Sequence, residues 1–184
     1  MITQEENQWL AGPTIPRRVQ LGFQLHLPAI HGDAVAPAQL DPFLLESELY
    51  RLIRSHPEQR RDRLEWDSDL QRVARLRLAD MVERQYYRHT DPDGHGPNWW
   101  LRYNGVTLPN WYDHADDANN VESINNNVDI AADCLASFIG SPHHRDHLLG
   151  GSDFYRGQSR IGVGFAWGSA AVQRVWSILT LHAT

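Results

Sequence analysis

Four side chains in this sequence have types that could support metal binding or acid–base chemistry: His89, Glu122, His144 and, with a weaker claim, His147. Imidazoles and carboxylates are common zinc ligands, and both can transfer protons at suitable pH. The four residues are distant along the chain. Whether they form one site therefore depends on the helices and strands that carry them.

His89 follows directly after a predicted helix, in the segment Tyr87-Arg-His-Thr-Asp-Pro-Asp-Gly94. An imidazole at a helix exit, beside a tight turn, can face a cleft. The alternative is a surface histidine whose partner is the turn at Asp91, and the residue types alone favour this alternative.

His144 stands three residues after Ser141, which the pair Ser141-Pro142 marks as a helix N-cap. The positive end of a helix disfavours an imidazolium, so His144 is expected to stay neutral and to keep a lone pair available. The alternative is that His144 only fills the start of the helix. For His143 and His147 a structural role is the better account.

Glu122 lies between the apolar residues Val121 and Ile124, in a segment that fits a strand with one polar face. A second acidic cluster comprises Asp113, His114, Asp116 and Asp117. It lacks the ligand alternation and the glycine of a calcium-binding EF-hand loop, so we expect a solvated loop there.

Other reaction types find no matching motif. The sequence has no Gly-x-Ser-x-Gly elbow, no glycine-rich phosphate loop and no His-Glu-x-x-His helix. The single Cys134 excludes an intrachain disulfide and sits in an apolar helical stretch, as a small core residue does. No nucleophile is evident.

The composition is that of one globular domain, with 184 residues, 41% of them hydrophobic and 22% charged. A net charge of -6 argues against nucleic acid as a partner. No apolar run is long enough to span a membrane. Residues 1–18 lack the apolar core of an export signal, so the protein either stays in the cytoplasm or has lost a leader.

The chain divides into a proline-containing extension, residues 1–40 with a possible strand at 19–27, and a domain at 41–184. Caps and apolar spacing predict four helices and a terminal hairpin. The helices are predicted from Asp41-Pro42 to before Pro57, from Asp67 or Asp69 to about Gln85, around 128–138, and from Ser141 to Gly150; the hairpin strands are 160–167 and 173–182. A short helical turn is possible at Trp99–Tyr103 in an otherwise irregular segment, and the whole is an α+β domain.

Six segments, in this order, make the chain resemble the CAP superfamily (cysteine-rich secretory proteins, antigen 5, pathogenesis-related 1), and in particular its bacterial SCP-like members. The resemblance runs from about Leu44 to the end. The segments are Leu64-Glu-Trp-Asp67, Ala79-Asp-Met81, Tyr87 to Gly94, Glu122, Ser141-Pro-His-His-Arg145 and Ile161-Gly-Val-Gly164.

This resemblance implies an α-β-α sandwich with a three- or four-stranded antiparallel sheet between helices and a large cleft. It implies that His89 and His144 form a pair that can hold a divalent cation such as zinc, with Glu122 as the first acid of the cleft. Two neutral imidazoles, one carboxylate and a water make a tetrahedral zinc environment, so His89, His144 and Glu122 are the predicted metal ligands. Ser141 falls where many members have a second acid, so the acid pair is incomplete. The family's Gly-Glu-Asn is Val121-Glu122-Ser123 here, which is a further departure.

Two functions follow as hypotheses, both without an organic cofactor. The first is an exported, non-enzymatic binding module, extracellular or in the cell envelope, whose cleft takes a peptide, glycan or lipid. The alternative is a metal-dependent hydrolase of peptides or cell-wall material with Glu122 as its base. A structural or adhesive module would bind partners without using His89, Glu122 or His144. The sequence leaves the oligomeric state open.

Overall fold

Helices cover both faces of a four-stranded sheet. The computed structural model describes residues 41–168 and 174–183, and the predicted strand at 19–27 lies outside the described residues. In chain order the elements are α1 (Pro42–Arg54), β1 (Glu65–Trp66), α2 (Ser68–Arg84), α3 (Pro97–Tyr103), β2 (Glu122–Asn126), α4 (Ala131–Gly140), α5 (Pro142–Leu149), α6 (Asp153–Gly157), β3 (Arg160–Trp167) and β4 (Arg174–Leu181).

The sheet has the strand order β1-β3-β4-β2 and is mixed. The hairpin strands β3 and β4 are antiparallel, as are β4 and β2, whereas β1 runs parallel to β3. The prediction of an antiparallel sheet was therefore wrong for β1. This two-residue strand leads straight into α2 through Asp67, whose N–H donates to the Ile161 carbonyl and whose carboxylate accepts from Arg160 at 2.6 Å. These bonds fix β1 beside the start of β3 in the same direction.

Alternate residues of β3 serve the two faces of the sheet. Ile161, Val163 and Phe165 join the apolar core that α1 and α4 cover. On the opposite face a Cβ atom added to Gly162 would lie under 3.0 Å from the backbone of α2. The backbone of α2 thus rests directly on the strand, with helices on both sides of the sheet. This confirms the α-β-α sandwich.

Local capping signals set the helix ends as predicted. The Asp41 carboxylate accepts from the N–H of Phe43 with Pro42 in the first turn, and Asp67 caps α2 through two N–H groups. At the end of α5, Gly150 adopts a φ of 66°, where a side chain would be strained. Ser141 has the extended conformation of an N-cap, but its side chain makes no capping hydrogen bond. The short helix α6 was not predicted.

A buried carboxylate joins α1 to the rest of the core. Glu46 is fully buried and accepts two hydrogen bonds from Arg75, one from Gln71 and one from the N–H of Phe165. It thereby links α1, α2 and β3. A carboxylate with this many donors is stable in an apolar core because its charge is paired and its lone pairs are used.

The described helices include none with both the length and the apolar character that a membrane crossing requires.

Candidate functional site

The carboxylate of Glu122 is the centre of the site. Glu122 begins the edge strand β2, and its side chain is wholly buried. Arg77 donates to it twice, from Nε to Oε1 at 2.7 Å and from one terminal nitrogen to Oε2 at 3.0 Å. Ser177 donates to Oε1 at 2.8 Å, and Nδ1 of His89 lies 3.1 Å from Oε2. Each carboxylate oxygen thus has two partners.

These partners keep Glu122 ionised. Burial by itself raises the pKa of the carboxyl, but the charge of Arg77 and the hydrogen bonds from His89 and Arg77 outweigh it and lower the pKa to about 2. An ionised carboxylate only accepts hydrogen bonds. Nδ1 of His89 must therefore carry the proton, which leaves a lone pair on Nε2 when the ring is neutral.

Arg77 was not among the predicted site residues, yet it organises the site. It is fully buried on α2, and its terminal nitrogen that contacts Glu122 also donates to the carbonyl oxygen of His89 at 2.6 Å. Its guanidinium lies 5.7 Å from the ring centroid of Trp100, and its other terminal nitrogen has no hydrogen-bond partner. One side chain therefore holds both the carboxylate that contacts His89 and the backbone of His89.

The sequence did carry a signal for Arg77. Position 77 falls on the apolar stripe of α2, three to four residues from Val73, Ala74 and Met81, all of which are buried. A charged residue in such a stripe requires a buried partner of opposite charge. Glu122, which lies between the apolar residues Val121 and Ile124, is the matching acid.

The loop after α2 places His89 against Glu122. The helix ends at Arg84, its C-cap residue Gln85 has a left-handed φ of 55°, and the chain then turns at Asp91. The Asp91 carboxylate accepts from the N–H groups of Asp93 and His95 and from the Trp100 indole. The hydrogen bonds of the Asp91 carboxylate are thus made within its own loop and to Trp100. The ring of His89 contacts Glu122 instead. The alternative in which Asp91 is the partner of His89 is not observed.

His144 lies in the first turn of α5, as predicted, and is partly buried with its ring edge-on to Phe138. Burial lowers its pKa, and the nearby His89 and His143 lower it further. The ring is therefore neutral at neutral pH, in agreement with the expectation from the helix start. Convergence of the two imidazoles on one site stays a prediction.

The three predicted metal ligands do not form one converging set. His89 and Glu122 are in contact, but among residues 41–168 and 174–183 the group of three whose ligand atoms lie within 4.8 Å of one another is Asp91, Asp93 and His95. Each oxygen of Glu122 already accepts two hydrogen bonds. Of the three predicted ligands, only the two imidazoles therefore have a lone pair available for a metal ion. Metal binding by His89 and His144 stays a prediction.

The Asp91, Asp93 and His95 cluster already contains a cation. Arg84 contacts Asp93 at 2.5 Å and Asp80 at 2.9 Å, and lies 3.6 Å from Asp91. A guanidinium among these acids supplies the positive charge that a metal would otherwise bring. We interpret the cluster as the ion-pair network that fixes the loop carrying His89.

His147 is a buried structural residue, as expected. Its Nδ1 lies 2.7 Å from the hydroxyl of Ser123, and its Nε2 lies 2.5 Å from that of Thr180. Since the Thr180 hydroxyl donates to Gln158, it accepts from Nε2 of His147, and Ser123 donates to Nδ1. Burial, and then the charge of Arg61, lower the pKa of His147 to about 3, so the ring is neutral.

The remaining candidates make no hydrogen bond or ion pair with Glu122 among the described contacts. Ser141 is partly buried at the junction of α4 and α5, where its carbonyl accepts from Arg145. The predicted solvated loop is confirmed, since Asp113, His114, Asp116 and Asp117 are all exposed. Burial raises the pKa of the Cys134 thiol, which makes it a structural residue.

One cavity of about 310 Å³ lies beside the start of α5, among residues that include Glu58, Pro142 and Arg145. Its lining does not include His89, Glu122 or His144. The large cleft implied by the family resemblance therefore stays a prediction.

Comparisons with known proteins agree with this architecture. The sequence model of the cysteine-rich secretory protein family (CAP) matches residues 49–174. No curated protein matches the chain.

Three solved structures share the fold at low identity. An outer surface protein from Borrelia burgdorferi is 16% identical with a TM-score of 0.54, over 77% of this chain and 92% of that one. An extracellular SCP-domain protein from Bacillus anthracis is 18% identical with a TM-score of 0.56, over 77% of this chain and 41% of that one. A cysteine-rich secretory protein from Staphylococcus aureus is 16% identical with a TM-score of 0.53, over 80% of this chain and 40% of that one. This chain thus spans less than half of the last two proteins.

Proposed function

Because this chain belongs to the cysteine-rich secretory protein (CAP) family, we propose that it is an extracellular binding module in which His89 and His144 hold a divalent metal ion. The extracellular location is supported by the similar structures, which are described as an outer surface protein, an extracellular protein and a secretory protein. The ligand classes that we propose are an extended peptide, a glycan or a lipid.

The residues present fit a metal held by two imidazoles. Glu122 keeps the proton of His89 on Nδ1, so that Nε2 can donate a lone pair, and His144 is neutral because its pKa is lowered. A zinc ion held this way would offer open coordination positions to an exogenous ligand. Tyr87 is 39% exposed, and its pKa is raised by burial and then by the charge of Glu122; its ring would add an aromatic surface to the binding module.

The observation that favours a binding module over a hydrolase is that both oxygens of the Glu122 carboxylate already accept two hydrogen bonds each. A general base needs a free lone pair and a pKa near the working pH. Glu122 accepts from Arg77, Ser177 and His89, and its pKa is about 2. The carboxylate is therefore suited to hold His89 in place and poorly suited to take a proton from water.

Zinc binding tests the proposal. We expect calorimetry to show one Zn²⁺ site in the unaltered protein, and the double variant His89→Ala/His144→Ala to lose more than about 100-fold in affinity, because both ligands are removed. The matched control is His95→Ala, which removes an imidazole from the Asp91, Asp93 and His95 cluster and should leave the affinity unchanged. Loss of binding in the control but not in the double variant would move the metal to that cluster.

The hydrolase alternative has its own test. The protein is assayed against panels of peptides and peptidoglycan, with and without a chelator and as the Glu122→Gln variant. We expect no hydrolysis that depends on both the metal and Glu122. Turnover abolished by both treatments would make the protein a metal-dependent hydrolase and would contradict the proposal of a binding module.

A further inference from the structure

We propose that Arg77 is a positioning residue for the metal-binding imidazole of His89, acting through Glu122. This inference rests on the proposed function, because it concerns how one of the two metal ligands is prepared. It assigns a role to a residue that does not itself contact the metal.

The contacts of the guanidinium carry the argument. Arg77 is fully buried and binds Glu122 with two parallel hydrogen bonds, of 2.7 Å and 3.0 Å. The same side chain donates to the backbone oxygen of His89 at 2.6 Å. A planar guanidinium can make these three bonds at once, whereas a lysine ammonium is a point charge without this fixed geometry.

The consequence is a fixed tautomer. Held by Arg77 and Ser177, the carboxylate of Glu122 has one oxygen facing Nδ1 of His89, at 3.1 Å. Because that oxygen can only accept, the His89 proton stays on Nδ1 and Nε2 is left unprotonated. Partners of this kind, behind a metal-binding histidine, typically change metal affinity by about 10- to 100-fold when they are altered.

The test is Arg77→Lys, which keeps the positive charge beside Glu122 but removes the paired geometry. The first readout is the tautomer of His89 in the metal-free protein, from ¹⁵N chemical shifts of the imidazole. We expect the unaltered protein to show the proton on Nδ1. We expect Arg77→Lys to lose this preference, because without the guanidinium bonds to Glu122 and to the His89 carbonyl the carboxylate oxygen is no longer held opposite Nδ1. The second readout is zinc affinity by calorimetry, which should fall about 10- to 100-fold.

Arg75→Lys is the matched control. Arg75 lies on the same helix and also binds a buried carboxylate, that of Glu46, through two hydrogen bonds, but it does not contact His89. The same substitution there should affect stability and leave the His89 tautomer and the zinc affinity unchanged. An equal change of tautomer in both variants would show that Arg77 has only a structural role.

A second variant protects the test against misfolding. Arg77→Met/Glu122→Gln removes both charges together, so no buried charge is left unpaired, and such replacements are often tolerated. We expect this variant to fold and to lose the Nδ1-protonated preference of His89. An unchanged tautomer in both variants would overturn the inference.

The two readouts separate this inference from the proposed function. If zinc fails to bind the unaltered protein, the metal proposal fails, while the tautomer measurement still decides the role of Arg77. If zinc binds the unaltered protein and Arg77→Lys equally well, with the same tautomer, the metal proposal stands and the positioning role is wrong.

Discussion

Replacing Gly162 with alanine is expected to destabilise the domain by about 3 kcal/mol or more. A Cβ atom at this position would lie under 3.0 Å from the backbone of Leu70 and Gln71. Backbone atoms cannot move aside as the end of a flexible side chain can, so α2 would have to shift away from β3. Urea unfolding followed by circular dichroism measures the loss.

The control for this prediction is Gly140→Ala. Gly140 is the last residue of α4, and a Cβ atom added there meets nothing within 4 Å. The variant should stay within about 0.5 kcal/mol of the unaltered protein, or gain slightly from the better helix propensity of alanine. Equal stability of Gly162→Ala and Gly140→Ala would mean that α2 does not rest directly on β3.

Stability is expected to fall steeply on acidification below pH 6.5, because His147 resists protonation in the folded state. Its pKa is lowered from 6.5 to about 3, chiefly by burial and then by the charges of Arg61, His144 and His89, with Glu122 opposing. Above pH 6.5 the ring is neutral in both states and its stabilisation is fully present. Below pH 6.5 the unfolded chain binds a proton that the folded chain does not.

Between pH 6.5 and pH 3, His147 is expected to lower the free energy of unfolding by about 1.4 kcal/mol for each pH unit of acidification. The total loss from this group is about 4 kcal/mol near pH 3. Glu122 acts with the same sign, since its pKa is lowered from 4.5 to about 2 and its stabilisation is lost as pH falls through that range. The interval between pH 6.5 and 4.5 therefore reports on histidines, and His144 and His182, whose pKa values are also lowered, act in the same direction.

The variant His147→Gln tests the assignment. A glutamine can still bond to a neighbouring hydroxyl but does not titrate, so the unfolding free energy should depend less on pH between 6.5 and 4.5, whatever its value at pH 7.5. His143→Gln, which removes an exposed imidazole from the same helix, is the control and should keep the steep dependence. An unchanged slope in His147→Gln would mean that His147 is not the group that resists protonation.

Local signals in the sequence were sufficient for the helix ends. The cap at Asp41 and the end of α5 at Gly150 were predicted, and Asp67 was one of the two caps predicted for α2, because each depends on hydrogen bonds or backbone angles within a few residues. The neutral state of His144 was predicted from the start of α5. In the structure its lowered pKa is attributed first to burial and then to neighbouring histidines.

The motifs in their order were sufficient for the family and for the α-β-α architecture. They were not sufficient for the direction of β1, because the pairing of a two-residue strand is decided by the distant Arg160 and Ile161.

The sequence by itself determined the helices α1, α2, α4 and α5, though not α6, and it determined which histidines and acid were candidates. Only the tertiary structure decided that Glu122 is held by Arg77, 45 residues earlier in the chain, and that His89 contacts this carboxylate and not the turn at Asp91. The physical reason is that a buried charge requires a partner, and that partner is supplied by whichever elements the packing of the core brings together.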